Sequence, residues 1–223
     1  MFTKEQVIEL YDRTLVYRQD PEDTLCHLSS PEDASSYGAY LNLLISRLGV
    51  SSTVCDIGCG TCSPLRCYQG DISLLNYTAL DINENMLDRA KRRWKAYPNI
   101  KFDIYDLESC NLQNNYDIIL LQESIAYFEE EDINELIEYY LTKTNKVLSL
   151  SLLDGTLPSD IQDQLLISQR RPMVTICYVL SNFPYTMADR ALEPNRYRID
   201  IYKEQRYYDL VRGLERRPYL GKS

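Results

Sequence analysis

The sequence predicts an α/β protein built on a doubly wound, mostly parallel sheet, and three observations carry that prediction. Short β-prone runs alternate with helical segments between residues 53 and 152 of the 223-residue chain. Such alternation implies parallel strands joined by helical crossovers. The first run, Thr53–Ile57, flows into a turn with glycines at Gly58 and Gly60. The second, Tyr77-Thr78-Ala79-Leu80, ends in an acid, Asp81. An acid at a second strand end, about 20 residues past a glycine turn, is the spacing of a nucleoside-binding βαβ unit.

Each element follows from local signals. Residues 3–18 read as an amphipathic helix, because Thr3 and Gln6 form a capping box and Val7, Tyr11, Thr14, Leu15 and Arg18 recur at helical spacing. Residues 19–30 form a polar loop with Cys26 and the single histidine, His27. A second helix opens with Ser30 as cap, Pro31 in the first turn and Asp33 three residues after the cap. It carries Tyr37, Tyr40, Leu41, Leu44, Ile45 and Leu48 on one side and stops at Gly49. Strands follow near 53–57, 76–80, 100–105, 116–121 and 146–152. Between them lie a short irregular crossover at 61–75 and helices near 84–96 and 131–143. Asn83 caps the first of these helices, and the acids Glu129 to Asp132 crowd the start of the second, where they favour the helix dipole. After Asp154-Gly155, residues 159–170 look helical. Met173–Leu180 and Tyr197–Lys203 read as strands, with Pro184 and Pro194 in the loop between. With no repeat, low-complexity tract or linker in sight, the expected organisation is a helical part at 1–50, a wound core at 51–155 and a C-terminal part of the same domain at 156–223.

The turn points to the class of ligand. Glycines let backbone approach a ligand where a Cβ would clash. A dinucleotide needs a third small residue so that a helix can sit against the strand and receive the pyrophosphate. Here that position is Ser63, followed by Pro64, in a segment that is weak as a helix. Asp56, just before the turn, suits a cation. These features fit S-adenosylmethionine, which has a sulfonium and an amino acid but no phosphate. Four pieces stand in order: Val54-Cys55-Asp56-Ile57-Gly58-Cys59-Gly60, Leu80-Asp81-Ile82, Tyr105-Asp106-Leu107 and Tyr116-Asp117-Ile118-Ile119-Leu120-Leu121. Together they resemble the class I S-adenosylmethionine-dependent methyltransferases over roughly residues 50–153. The resemblance implies a Rossmann-like sheet that ends in an antiparallel strand pair, which Met173–Leu180 and Tyr197–Lys203 would supply. It also implies an N-terminal helical lid over the cofactor, with Tyr11, Tyr17 or Tyr37 near the site.

A competing reading rests on Cys55, Cys59 and Cys62, whose C-x3-C-x2-C spacing is that of a [4Fe–4S] cluster. Cys55, however, lies inside the first strand, with Val54 and Asp56 on the opposite face, so the three thiols do not converge. The cluster reading also leaves Asp81 and Asp106 unexplained. The cysteines read as small buried filler, and no metal is expected.

Composition bounds the rest. Apolar runs are too short to span a bilayer, and Met-Phe-Thr-Lys-Glu-Gln is no signal peptide. Seven cysteines without paired spacing suit reduced thiols, and a cytoplasmic location is expected. The net charge of −9 argues against a nucleic-acid substrate, whose phosphates demand a basic face. The charge is uneven, at −14 over residues 1–165 and +5 over residues 166–223. The basic tail either pairs with the acidic body or forms a cationic wall suited to an anionic acceptor. The 19 tyrosines against four phenylalanines pack at core edges or line a pocket for a sulfonium and an amine or aromatic acceptor.

In open parallel sheets, ligands sit beyond the carboxyl ends of the strands. Gly58, Cys59 and Gly60 would then meet the methionine part of the cofactor, Asp81 the ribose hydroxyls, and Ile82 and Met86 the adenine faces. The resemblance implies that Asp106 and Leu107 read the adenine edge. Asp103 is a solvent-facing strand residue by comparison. Gln122, Glu123 and Ser124 follow the fourth strand, where cofactor and acceptor meet. Glu123 is the foremost candidate for a general base or acceptor anchor, followed by Tyr127, with His27 a remoter proton acceptor. The expected activity is methyl transfer to a small molecule. The alternatives are non-methyl chemistry with the same cofactor, namely intramolecular displacement or aminocarboxypropyl transfer, and a non-catalytic cofactor-binding module.

Overall fold

The computed structural model describes residues 3–17, 31–122, 124–128, 130–153, 172–190 and 196–215. Helix α1 spans Lys4–Tyr17, and its capping box forms: Thr3 N–H donates to Gln6 Oε1 at 2.9 Å and Gln6 N–H to Thr3 Oγ1 at 3.3 Å. Helix α2, Pro31–Leu48, ends where Gly49 turns to φ +101° and donates its N–H to Ile45 O. The loop with Cys26 and His27, the cap position Ser30 and the expected helix at 159–170 lie outside the described residues.

Seven strands form one sheet in the order β3-β2-β1-β4-β5-β7-β6. They are β1 Thr53–Ile57, β2 Asn76–Asp81, β3 Ile100–Ile104, β4 Tyr116–Gln122, β5 Thr144–Leu153, β6 Thr186–Arg190 and β7 Arg196–Tyr202. β1 to β5 run parallel, while β7 pairs antiparallel with both β5 and β6. The 61–75 crossover holds only the four-residue helix α3, Ser63–Arg66, and a 3-10 turn at Ile72–Leu74. The remaining helices are α4 Glu84–Arg93, α5 Glu130–Lys143, α6 Pro172–Asn182 and α7 Gln205–Glu215.

Covered on both faces, the central strands are mostly apolar rather than alternating, as buried parallel strands are, with Asp56, Ser149 and Ser151 as buried polar exceptions. One face carries Val54, Tyr77, Ile118 and Leu120 against α2, α4 and α7; the other carries Cys55, Ile57, Ile119 and Leu121 against α5 and α6. Cys59 and Cys62 lie in the first core and Cys55 in the second, so the sheet separates the thiols that a cluster would need together.

One expected strand is a helix. Met173–Leu180 lies within α6, and the antiparallel partner of β7 is Thr186–Arg190 instead. The run Val174-Thr175-Ile176-Cys177-Tyr178-Val179 is rich in β-branched and aromatic residues, which suit a pleated surface. Tertiary packing overrides that preference. Thr175, Ile176 and Val179 are buried while Cys177 and Leu180 are exposed, a helical spacing rather than an alternation. Pro172 occupies the first turn, where its missing N–H costs nothing. The helix docks on α5, with Tyr178 OH donating to Glu138 Oε1 at 2.5 Å.

Candidate functional site

The sheet order puts β1 between β2 and β4, so the chain diverges to opposite sides after β1, and ligands of such sheets bind at that switch point. Three loops gather there. The turn after β1 is pinned to β2, as Gly58 N–H and Cys59 N–H both donate to Leu80 O, at 2.8 and 3.0 Å. Gly58 sits at φ +75° and Gly60 at φ +53°, left-handed conformations that favour glycine. A Cβ on Gly58 would stand 2.4 Å from Ser124 Cβ, so the turn after β1 touches the 3-10 turn after β4. Cys62 is left-handed as well, φ 60°, at the start of α3.

Two carboxylates lie under this turn. Asp81 Oδ2 accepts the Gly60 N–H at 2.7 Å and Oδ1 accepts the Asn83 N–H at 2.9 Å. Burial pushes its pKa up, and the backbone donors partly offset that. Asp56 is 1% exposed and accepts Tyr77 OH at 2.5 Å. Burial raises its pKa to about 7, with the Tyr77 bond opposing and the charge of Asp81 adding to the rise. Ile82 is half-buried beside them, and Met86 is buried with its Cε 3.3 Å from where a Cβ on Gly60 would stand.

The third loop follows β3. Asp106 caps the 3-10 turn Leu107–Ser109 through Glu108 N–H at 3.1 Å. Leu107 is buried, and its carbonyl accepts Tyr140 OH at 2.7 Å. Asp103 is exposed on the edge strand, as expected. Helix α1 reaches both flanking loops. Lys4 pairs with Asp106 and, at 3.5 Å, with Glu108. Asn83, which caps α4 through Met86 N–H, also donates to Ile8 O at 3.3 Å and to Asp12 Oδ1 at 3.0 Å. Asn85 donates to the same Asp12 oxygen at 3.1 Å.

Beyond β4, Gln122 is half-buried and faces Ser151 across the β4–β5 ladder. Glu123 lies outside the described residues, as does the side chain of Tyr127, whose backbone closes the turn Ser124–Tyr127. Ser124 Oγ is buried without a hydrogen-bond partner among the described residues. Sequence reasoning did not single out the α1 contacts of Lys4 and Asp12, nor a polar group on β7 made by Arg198 and Asp200. The pattern Arg198-x-Asp200, two charges on one face of a strand, was the available signal for the second.

Comparison with known proteins adds family and fold. Residues 54–143 match the family described as methyltransferase domain. No curated protein sequence matches the chain. Among solved structures, magnesium protoporphyrin IX methyltransferase from Synechocystis PCC 6803 with bound SAH superposes with a TM-score of 0.63 at 17% identity, covering 91% of this chain and 100% of that one. The N-methyltransferase NodS from Bradyrhizobium japonicum WM9 in complex with S-adenosyl-L-homocysteine gives 0.64 at 14% identity, over 88% of this chain and 96% of that one.

Proposed function

We propose that this chain, whose residues 54–143 match the methyltransferase domain family, is a class I S-adenosylmethionine-dependent enzyme that methylates a small-molecule acceptor by in-line displacement. The bond from Gly60 N–H to Asp81 carries the site assignment, because it ties the glycine turn and the second-strand acid into one unit. The residues fit the cofactor on three further counts. Bare backbone at Gly58 and Gly60 leaves room that a Cβ would fill. Asp56 and Asp81 supply carboxylates beside a ligand that is a cation. Ser124 Oγ is a buried polar atom without a partner among the described residues.

In this reading Gly58, Cys59 and Gly60 hold the methionine part, Asp81 the ribose hydroxyls, Ile82 and Met86 the adenine faces, and Asp106 and Leu107 its edge. Gln122 borders cofactor and acceptor. Bound S-adenosylmethionine supplies an activated methyl group, so the chain's task is to align the acceptor nucleophile with the departing thioether and to exclude water. Glu123 takes a proton where the acceptor must lose one, and Tyr127 orients the acceptor. α1 and α2 form the lid.

The acidic net charge favours a small acceptor, anionic or aromatic, over nucleic acid. Cys55, Cys59, Cys62, Cys67, Cys110 and Cys177 are free thiols, which supports a reducing cytoplasmic setting. No helix among the described residues is long and apolar enough to cross a membrane. The test is incubation with methyl-labelled cofactor and fractionated small-molecule extracts. S-adenosylhomocysteine formed together with a labelled small product is the expected result. 5′-Methylthioadenosine, or label only in macromolecules, would overturn the proposal.

A further inference from the structure

Helix α5 reaches the loop after β3 with a buried hydroxyl. Tyr140 lies on α5 and is wholly buried, and its OH donates to the Leu107 carbonyl at 2.7 Å. The same oxygen stands 2.9 Å from the hydroxyl of Tyr105, the residue after β3. A tyrosine has one O–H proton, and its oxygen can also accept. A carbonyl only accepts, so the Tyr140 proton points to Leu107 and the proton between the two rings comes from Tyr105. The bonds therefore run one way, from Tyr105 through Tyr140 to Leu107, and each polarises the next. Burial pushes the pKa of Tyr140 upward, which keeps its proton in place.

Tyr105 ties this relay to the second-strand acid. Its N–H donates to the Asp81 carbonyl at 2.9 Å, and the Asp81 carboxylate holds the Gly60 N–H. One connected set of bonds thus fixes the acid proposed for the ribose relative to the loop proposed for the adenine.

We propose that Tyr140 is a positioning residue for base recognition: its hydroxyl sets the Leu107 backbone so that the loop after β3 accepts adenine and rejects its deaminated form. The inference rests on the methyltransferase reading and adds to it the residue that makes the nucleoside site base-specific.

Packing alone does not call for this hydroxyl. Tyr140 belongs to an apolar cluster with Leu107, Leu112, Leu136 and Ile137, where a phenylalanine ring would fill the same space. The added oxygen falls on the backbone of the residue proposed to face the base. Other bonds of the loop close it on itself: Glu108 N–H donates to Asp106 Oδ1 at 3.1 Å and Ser109 N–H to Asp106 O at 3.0 Å. The Tyr140 bond instead anchors the loop to a helix 33 residues away in sequence.

Adenine presents an amine donor beside a ring-nitrogen acceptor. Hypoxanthine, the deaminated base, presents a carbonyl acceptor beside a ring N–H donor. A carboxylate at Asp106 and a backbone N–H at Leu107 that match the first oppose like to like with the second. Polar groups left unpaired in a closed site give strong rejection. That rejection requires a loop held still, because hydrogen bonds weaken steeply away from their preferred geometry.

The test is calorimetry of the full chain with S-adenosylhomocysteine and with S-inosylhomocysteine, which differ only in the base. Wild type is expected to prefer the adenine ligand by about 100-fold, and Tyr140→Phe to lose about tenfold of that preference. Tyr105→Phe keeps the bond to Leu107 but removes the donor behind it, and should fall between. Tyr178→Phe removes a different hydroxyl bond of α5, to Glu138 Oε1, and should keep the wild-type preference. Loosened packing or a smaller folded fraction weakens both ligands alike, so the ratio reports positioning. An unchanged ratio in Tyr140→Phe, or an equal drop in Tyr178→Phe, would overturn the proposal. If Tyr140→Phe does not fold, an unchanged ratio in Tyr105→Phe decides the same way. Equal binding of the two ligands by wild type overturns this inference and leaves the cofactor site standing. No binding of S-adenosylhomocysteine to wild type removes the methyltransferase reading, and this inference with it.

Discussion

Asp56 and Asp81 occupy neighbouring strand ends, yet their surroundings give them different work. Asp81 is held by two backbone N–H groups, so it shapes the turn as well as facing it. Asp81→Ala strands both donors and should cost about 1–3 kcal/mol of stability on top of abolishing cofactor binding. Asp81→Asn keeps an acceptor and tests binding with less damage; unchanged S-adenosylhomocysteine affinity by calorimetry would remove Asp81 from its assigned role. Gly58→Ala meets both an unfavourable φ and Ser124 at 2.4 Å. A loss of about 1–3 kcal/mol in chemical denaturation, together with lost cofactor binding, is expected. Asp56 has a pH signature. Its folded pKa is about 7 against an ordinary 3.8, so between those values the folded state holds a proton that the unfolded state has released. The contribution to stability is complete below the lower value and drains away as pH rises to the upper one. The melting temperature of wild type relative to Asp56→Asn should therefore fall between about pH 4 and pH 7 and level off above; a constant offset would refute the assignment.

Helix α1 joins the core through polar contacts at its solvent-facing rim, where Lys4 meets Asp106 and Asp12 meets Asn83 and Asn85. Exposed ion pairs contribute little to global stability. Their position matters more, because they bridge the loops after β2 and β3, between which the nucleoside is proposed to lie. Asp12→Ala removes two hydrogen bonds worth about 1 kcal/mol each at most. It should leave the melting temperature nearly unchanged while speeding S-adenosylhomocysteine release about tenfold, measured by stopped-flow displacement. Equal release rates would show that α1 is not a lid. α6 illustrates the opposite balance: its segment has strand-like composition, and burial of Thr175, Ile176 and Val179 fixes it as a helix.

Across the whole molecule, the sheet divides the chain into two cores and opens its switch point at the carboxyl end of β1. A ligand that binds there and not to the unfolded chain must stabilise the entire domain. At 100-fold excess over its dissociation constant, S-adenosylhomocysteine should add about 2.7 kcal/mol, visible as a rise in melting temperature that grows with the logarithm of its concentration. No rise at millimolar concentration would contradict the proposed site.

Much of this was legible beforehand. The β-prone runs at 53–57 and 116–121, the stop at Gly49, the cap at Asn83 and the turn at Gly58–Gly60 rest on local rules, namely backbone sterics, capping and hydrophobic period, which act within a few residues. The parallel direction of the strands and the handedness of their crossovers follow from the same alternation, whereas the order β3-β2-β1-β4-β5 was set by packing. Three further things were not local. That Met173–Leu180 is a helix depended on the face α5 offers it. That Asp81 bonds Gly60, and Lys4 Asp106, depended on loops meeting across the sheet edge. That Tyr140 bonds the Leu107 carbonyl depended on how α5 docks against the loop after β3. Local chemistry settles which elements form, because backbone preferences are decided over one or two turns. Which side chains share a site is settled only by packing, because residues far apart in the chain come within hydrogen-bond reach only after burial has fixed the register.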